Sequence, residues 1–190
     1  MRILCIGAHP DDLEYGCAGT ARSAVRRGAE ALFLVLTHGE RGGDKDARER
    51  EQKASCDVLG VEYKNIGLPD LGVENTYENH CKLYRVADDF MPTHIFTHAP
   101  RDKHPDHIAT TLLAESIANR LGVPVTYFRS FSTLVFEPDC TFLHNCADEK
   151  RAALHCHKSQ IDKYAGRGID FVSMAMQDEN VETYEVWRKN

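Results

Sequence analysis

After Met1-Arg2, the chain continues with the apolar run Ile3-Leu4-Cys5-Ile6-Gly7-Ala8, which leads directly into His9-Pro10-Asp11-Asp12. A short apolar run that stops at a polar cluster is typical of a central strand in a parallel sheet, because both faces of such a strand are covered. Gly19 to Arg27 follows with helical spacing, and Gly28 is suited to end that helix. We therefore predict a strand followed by a helix at the start of the chain.

The same alternation continues to the end of the sequence. Further strands are predicted at Ala31–Thr37, Tyr63–Ile66, His94–His98, Val125–Phe131, Thr141–Cys146 and Thr183–Trp187. Further helices are predicted at 46–59, 77–90, 105–121 and 148–164. Alternating strands and helices favour right-handed βαβ units. We predict an α/β fold, a Rossmann-like three-layer sandwich with a mostly parallel sheet covered by helices on both faces. No long linker interrupts the pattern, so residues 1–190 are expected to form a single domain.

The amino-acid composition disfavours some classes of binding partner and indicates a cellular compartment. The net charge is −6, and no run of Lys or Arg is present, which disfavours a nucleic-acid or anionic-membrane surface. No apolar run reaches the ~20 residues needed to span a bilayer, so no transmembrane segment is expected. Seven cysteines without a CxxC pair indicate reduced thiols and a cytoplasmic location. A second zinc site from Cys140, Cys146, Cys156 and His155 would lack the usual spacing.

Two polar clusters follow predicted central strands. The first is His9-Pro10-Asp11-Asp12 after strand one, and the second is His104-Pro105-Asp106-His107 shortly after strand four. In parallel α/β sheets the ligand site lies beyond the carboxyl ends of the strands, where the strand order reverses. If strands one and four are neighbours, both clusters meet at that edge of the sheet.

The residue types in the two clusters indicate a catalytic metal site. Zinc in such sites is held by three imidazole or carboxylate ligands, with one position left open for water. His9, Asp12 and His107 are the predicted ligands, and Asp11 is the predicted general base. We expect one Zn²⁺ per chain, and the same donor set also accepts Fe²⁺ or Co²⁺.

The remaining members of the second cluster have supporting roles in this interpretation. His104 lies one helical turn before His107, where it can stabilise an oxyanion or donate a proton, and Asp106 is expected to orient its ring. The alternative is that both His-Pro-Asp triplets are turns, with Asp12 and Asp106 as helix caps only. Two copies, each after a central strand, favour the metal site.

These blocks resemble the LmbE-like, or PIG-L, family of zinc-dependent de-N-acetylases, which share a Rossmann-like fold. The resemblance extends in order over Ala8-His9-Pro10-Asp11-Asp12, Thr37-His38-Gly39-Glu40, Arg48-Glu49-Arg50-Glu51, Gly67-Leu68-Pro69-Asp70, His104-Pro105-Asp106-His107, His157-Lys158-Ser159-Gln160 and Glu182-Thr183-Tyr184-Glu185-Val186. It implies the metal ligands and general base named above, with His104, held by Asp106, as electrophile or acid. It also implies that Arg48 contacts the substrate and that His157 reaches the rim of the pocket.

The chain also departs from the family pattern. Leu13 separates the two aspartates from Glu14, and His38 stands where relatives often have Arg. The chain is short for the family, so walls of its pocket could come from a neighbouring subunit. This makes a homo-oligomer a possible partner arrangement.

The expected reaction is hydrolysis of the acetamido group of an N-acetylglucosamine-type sugar, with Asp11 as base and zinc and a protonated His104 at the oxyanion. Two alternatives keep the same site, namely a zinc amidase for a larger amide such as a thiol conjugate and a catalytically silent sugar-binding module. A nucleotide-cofactor protein is disfavoured, because the turn after strand one lacks Gly-x-Gly-x-x-Gly and holds two carboxylates instead.

Overall fold

The structure is a computed structural model, and it describes residues 1–177 and 180–186. The described residues form strands β1 Arg2–Gly7, β2 Glu30–Thr37, β3 Glu62–Leu68, β4 His94–His98, β5 Val125–Phe128, β6 Cys140–Leu143 and β7 Val181–Val186. The helices are α1 Asp12–Arg26, α2 Lys45–Leu59, α3 Tyr77–Phe90, α4 Pro105–Leu121, α5 Ala147–Cys156, α6 Lys158–Ala165 and α7 Phe171–Ala175. Trp187, the end of the last predicted strand, lies outside the described residues.

The seven strands form one sheet in the order β3-β2-β1-β4-β5-β7-β6. The first five are parallel, whereas β7 runs antiparallel to both β5 and β6. The predicted mostly parallel α/β sheet is therefore confirmed. Strand β1 lies between β2 and β4, so the chain order reverses at β1 and β4, where the ligand site of such a sheet is expected.

Helices cover the sheet on both faces, as predicted. Successive side chains of a strand point to opposite faces, and β1 divides its apolar residues accordingly. Leu4 and Ile6 pack in a core with α3 and α4, and Ile3 and Cys5 pack in a second core with α1, α2 and α5. Both pairs of side chains are almost fully buried, which is why they are apolar on both faces of β1.

The structure differs from the predicted elements in several places, including the bounds of β6 and β7. Helix α1 begins at Asp12 rather than Gly19, because Gly16 and Gly19 conceal the helical pattern. The helix predicted over 148–164 is two helices, α5 and α6, separated at His157. The short helix α7 was not predicted, and the predicted strand Val125–Phe131 ends three residues early, at Phe128.

Two further observations concern the whole described chain. Among the described residues, no helix has the length and apolar character needed to cross a bilayer. All seven cysteines are free thiols. The assignment of residues 1–190 to a single domain stays a prediction.

Candidate metal centre

The two His-Pro-Asp clusters meet where β1 and β4 end. These strands pair in parallel, with Leu4 opposite Ile95 and Cys5 opposite Phe96. His9 lies in the turn after β1, and Asp12 is the first residue of α1. His104 is the N-cap residue of α4, whose first turn contains His107. Pairing of β1 with β4 therefore brings together side chains that are far apart in sequence.

The three predicted metal ligands converge on one another. His107 Nε2 lies 3.3 Å from His9 Nδ1, and Asp12 lies 3.4 Å from both rings, through Oδ2 towards His9 and Oδ1 towards His107. In a tetrahedral zinc site with metal–ligand bonds of about 2.0–2.1 Å, neighbouring ligand atoms are about 3.3 Å apart. The nitrogen and oxygen donors therefore have the chemistry and the spacing that zinc requires.

The far nitrogen of His9 is held by carboxylates. His9 Nε2 lies 3.2 Å from Asp106 Oδ2 and 3.3 Å from Asp70 Oδ1. Asp106 also accepts hydrogen bonds from the backbone N–H groups of Leu71 (2.8 Å) and Val73 (3.2 Å). Carboxylates in this position fix the orientation of metal-binding imidazoles. The expectation that Asp106 holds His104 is thus wrong, because its carboxylate is directed to His9 and to the loop after β3.

The far nitrogen of His107 is held in the same way. His107 Nδ1 lies 3.2 Å from Asp102 Oδ2. The hydroxyls of Ser130 and Ser132 also donate to the Asp102 carboxylate, and the His104 backbone N–H donates to it at 2.8 Å. Asp102 therefore connects the second histidine ligand to the loop after β5.

The electrostatics of the site favour positive charge between these groups. Burial lowers the pKa of His9, but hydrogen bonds with Asp106, Asp12 and Asp70 outweigh it and raise that pKa well above its usual range. Burial also lowers the pKa of His107, and the Asp12 and Asp102 carboxylates overcome it and bring the value to about 9. A bound metal cation would interact favourably with the same carboxylates, and its binding would release protons from the histidines.

Asp11 lies beside the ligands in an unusual backbone conformation. Its φ is 96°, in a region that non-glycine residues other than Asn and Asp seldom adopt. The Gln52 side-chain oxygen accepts from the Asp11 backbone N–H (3.1 Å), and Arg48 Nη2 donates to Asp11 Oδ2 (3.1 Å). Burial raises the pKa of Asp11 to about 6 although Arg48 opposes the shift. A carboxylate with such a pKa is suited to general-base catalysis near neutrality.

Arg48 lies in the pocket and is engaged by the protein itself. Besides its bond to Asp11, its guanidinium donates to the carbonyls of Gly39 (2.7 Å) and Pro10 (2.6 Å). It therefore fixes the turn that contains Asp11, and a substrate contact by Arg48 stays a prediction.

His157 does not reach the pocket, so its predicted contact with the substrate is wrong. It is fully buried, and its Nε2 lies 3.4 Å from Glu14 Oε2. Glu14 is equally buried and accepts hydrogen bonds from Gln52 (2.7 Å) and Ser55 (2.6 Å). His157 lies at the break between α5 and α6, on the same side as the buried Ala153 and Leu154 of α5, so its ring is directed into the protein.

His104 is the most open of the clustered histidines. Its ring lies 4.6 Å from those of both His9 and His107, and its Nδ1 has no hydrogen-bond partner within residues 1–177 and 180–186. Burial and the charges of His9 and His107 lower the pKa of His104. Without a bound metal, the site therefore favours a neutral His104 imidazole, whereas the interpretation of the sequence assumed a protonated one.

Three overlapping sets of side chains in the described structure could hold a metal ion. They are His9 with His104 and His107, Asp12 with His98 and His107, and His9 with Asp70 and Asp106. Asp70 and Asp106 face the far nitrogen of His9, while His98 Nε2 receives the Ala8 backbone N–H at 3.1 Å. The predicted set His9, Asp12 and His107 is not one of the three but draws its members from them. Asp70 and Asp106 then contact the predicted ligand His9, and His98 contacts Asp12, whereas His104 stays open to the cavity.

A cavity of about 310 Å³ opens onto this cluster. Six of the eight predicted site residues line it, namely His9, Asp11, Asp12, Arg48, His104 and His107. One wall is aromatic: Tyr164 stacks on Phe171 with ring centroids 5.3 Å apart, and Phe131 lies 5.6 Å from Tyr164. Such a wall suits the apolar face of a sugar ring. The polar cluster lines the same cavity, where it can contact a small group of a bound molecule.

Sequence reasoning did not assign roles to Asp70, Asp102 or His98. Asp70 follows β3, Asp102 follows β4, and His98 ends β4. The rule that sites gather at the carboxyl ends of central strands applies to all three and could have identified them.

Comparisons with known proteins show which family and fold the chain is similar to. Residues 4–118 match the model of the PIG-L family, described as GlcNAc-PI de-N-acetylase. The chain is 28% identical over 176 residues to the uncharacterized deacetylase YaiS of Escherichia coli, covering 83% of this chain and 90% of YaiS. It is 25% identical over 186 residues to the probable N-acetyl-alpha-D-glucosaminyl L-malate deacetylase 2 of Bacillus cereus, covering 84% of each chain. Its fold is similar to the crystal structure of the conserved protein TT1542 from Thermus thermophilus, with a TM-score of 0.83, 24% identity and coverage of 96% and 92%.

Proposed function

Because the chain belongs to the PIG-L family, we propose that it is a zinc-dependent hydrolase that removes the acetyl group from an N-acetylglucosamine-type sugar and releases acetate. The main support is the convergence of His9 Nδ1, His107 Nε2 and the Asp12 carboxylate within 3.3–3.4 Å of one another, with Asp11 beside them. His9, Asp12 and His107 would hold the metal. When bound there, zinc supplies Lewis acidity to the amide carbonyl and acidifies water.

The chain's own residues account for the proton transfers. Asp11 takes the proton of the attacking water as its oxygen bonds to the acetyl carbon, and Arg48 keeps that carboxylate in place. The imidazole N–H of His104 donates to the developing oxyanion, an interaction typically worth ~3 kcal/mol. Asp11 then passes the proton to the departing nitrogen as the C–N bond breaks. The products are acetate and the free amino sugar.

Acetate release tests this proposal. Metal-free protein is assayed with a panel of N-acetylglucosamine conjugates, with and without added Zn²⁺, Fe²⁺ or Co²⁺. We expect release only with metal, with a metal content of one ion per chain. A His9→Ala variant serves as the matched control, because it should lose both metal and activity. Release of larger acyl groups but not of acetate would favour the amidase alternative, and a bound metal without any release would favour the silent module.

The proposal also includes the binding partners of the protein and its location in the cell. The substrate is a small N-acetylated sugar, and a homo-oligomer that shares pocket walls stays a prediction. The seven free thiols are consistent with the reducing environment of the cytoplasm, which is the proposed location.

A further inference from the structure

Two cations at the cavity have no role in the proposed reaction. Arg41, in the loop after β2, and Lys163, on α6, both line the cavity. The Arg41 backbone N–H and Nε donate to Asp70 (2.9 and 3.2 Å), which anchors the residue and leaves its terminal guanidinium nitrogens without a partner among the described residues. Lys163 is half-buried, and its ammonium makes no hydrogen bond or ion pair within the same part of the chain.

The Lys163 ammonium lies close to another cation. A Cβ atom at Gly42 would be 3.1 Å from Lys163 Nζ and 2.5 Å from Arg48 Nη1, so both groups approach the same glycine. Apart from the Tyr164 ring, 5.9 Å from the ammonium, its described neighbours give it no close favourable partner. Burial, followed by the charges of Arg48 and Arg167, lowers the pKa of Lys163. Like charges repel at such range, and the Asp11 and Asp70 carboxylates, which raise the pKa of Lys163, only partly offset this repulsion. An added anion would reduce it further.

Among the described residues, no carboxylate makes a hydrogen bond or ion pair with the Lys163 ammonium, and the two that attract it have other partners. Asp11 is paired with Arg48, and Asp70 is shared between His9 and the Arg41 backbone. A lysine is more often simply solvated, and Lys158 on the same helix illustrates this: its side chain is 77% exposed, and its ammonium pairs with Asp162 at 3.2 Å. Lys163 differs, because it lines the cavity and has no such pair.

We propose that Arg41 and Lys163 form an anion subsite that binds a carboxylate or phosphate on the group attached to the sugar, so that acidic conjugates are the preferred substrates. This inference rests on the proposed function, since it assigns the substrate class of the same cavity. Arg41 offers a planar fork to two anion oxygens, and Lys163 offers a point charge at the same cavity.

The experiment compares substrates that differ in charge. Carboxymethyl and hydroxyethyl N-acetyl-α-glucosaminide are nearly the same size, and N-acetylglucosamine 1-phosphate tests phosphate. For the zinc-loaded enzyme we expect kcat/KM to be about 10- to 100-fold higher for at least one anionic substrate than for the neutral one. The preferred anion distinguishes carboxylate from phosphate. The preference should decrease with added salt, because the subsite is open to solvent.

Two variants test whether Lys163 and Arg41 cause the preference for anionic substrates. Lys163→Met and Arg41→Met should each raise KM for the anionic substrate about tenfold or more and leave the neutral substrate within about twofold. Lys158→Met, on the same helix but paired outside the cavity, should change neither. Thermal midpoints of all three confirm that the variants are folded.

The outcomes separate this inference from the proposed function. Equal kcat/KM for neutral and anionic substrates would overturn the anion subsite and leave the deacetylase intact. Equal losses for both substrates in Lys163→Met would also overturn it, since the lysine would then only be a wall of the cavity. No release from any substrate would contradict the proposed function itself.

Discussion

Single residues in the turn after β1 combine strain, charge and proposed chemistry. Asp11 has a φ of 96°, and backbone conformations of this kind cost on the order of 1–3 kcal/mol. Gln52 and Arg48 hold the backbone and the carboxylate of Asp11, respectively. The two adjacent aspartates thus have different partners: the Asp11 carboxylate contacts Arg48, and the Asp12 carboxylate contacts the two histidines proposed as ligands.

Replacing Asp11 with Asn separates metal binding from catalysis. Asn tolerates positive φ as well as Asp does, so the turn should persist and the variant should keep one metal ion per chain. Turnover should decrease about 10²- to 10⁴-fold, because the amide cannot accept the proton of water. Metal analysis and acetate release measure the two properties on one sample. Wild-type turnover in a metal-loaded Asp11→Asn variant would refute the assignment of the base.

Replacing Asp102 with Asn tests its support of His107. The change preserves the shape of the side chain but removes the charge that lies 3.2 Å from His107 Nδ1. We expect the affinity for zinc to decrease about 10- to 100-fold, as is typical when the carboxylate behind a histidine ligand is lost. Competition with a chromophoric chelator measures this affinity. Asp57→Asn, on the exposed side of α2, is the control and should leave it unchanged.

Among the elements, α1 shows how packing determines a helix that its sequence pattern obscures. Its Gly16 faces the fully buried Phe128 of β5, and a Cβ atom there would lie 2.2 Å from the ring. Gly19 similarly faces His144, at 2.1 Å. Both glycines allow the helix to approach the sheet closely and so bring Asp12, at its start, next to the end of β4.

Gly16→Ala should therefore destabilise the protein. Alanine improves helix propensity by about 1 kcal/mol, but overpacking against a fixed aromatic ring costs about 1–3 kcal/mol. We expect a lower free energy of unfolding in urea. Gly166→Ala is the matched control, because its new Cβ atom would meet its nearest neighbour at 3.5 Å and should change stability by less than about 0.5 kcal/mol. A Gly16→Ala variant as stable as wild type would contradict the close approach.

The sequence predicts elements well where their ends have local signals. The predictions 77–90, 94–98 and 105–121 coincide with α3, β4 and α4. Thr76 caps α3 through its side chain, and Pro105 and Gly122 bound α4. The start of α1 and the break at His157 have no such signal. They depend on the left-handed Asp11 and on the burial of His157 against Glu14, which are tertiary effects.

For the whole molecule, a buried ion pair joins the antiparallel edge of the sheet to the helical layer. Lys150 of α5 donates to Glu182 of β7 at 2.6 Å and to the Tyr15 carbonyl of α1 at 3.1 Å. Glu182 also accepts the backbone N–H groups of Gly19 and Thr20, in the middle of α1. A mid-helix segment is thus tied to two side chains from elsewhere in the chain.

This pair makes stability depend on pH. Burial raises the pKa of Glu182, but the Lys150 charge and hydrogen bonds from Lys150, Thr20 and Tyr184 outweigh it and lower the value from 4.5 to about 2. A carboxylate with a depressed pKa stabilises the fold above its unfolded pKa, and this contribution is lost as the pH falls from about 4.5 towards 2. It amounts to on the order of 3 kcal/mol.

A double-mutant cycle measures this contribution. Glu182→Gln alone should cost about 3–5 kcal/mol, because Lys150 is left buried without its partner. The double variant Glu182→Gln/Lys150→Met should be more stable than the single one and should lose less stability than wild type between pH 5 and 3. Urea titrations across this range give the values. Lys150→Met alone completes the cycle, and a double variant whose loss equals the sum of the two single losses would show that the residues are not coupled.

The site was predictable to the extent that topology determines it. The meeting of His9, Asp12 and His107 follows from the pairing of β1 and β4. Which carboxylate supports which histidine does not follow, because Asp70 and Asp102 lie in loops whose paths depend on the packed molecule. The roles of these residues in catalysis stay predictions.

The placement of the proposed ligands in two segments far apart in the chain, after β1 and in α4, also has a consequence for biosynthesis. The chain is translated from its N-terminus, so His9 and Asp12 leave the ribosome long before His107 does. The intervening segment, with β2, α2, β3 and α3, has to emerge before the third ligand can join the first two. The proposed metal site therefore cannot be complete before α4 has emerged, and a nascent chain arrested before α4 should lose zinc to a chelating resin whereas the completed chain should keep it.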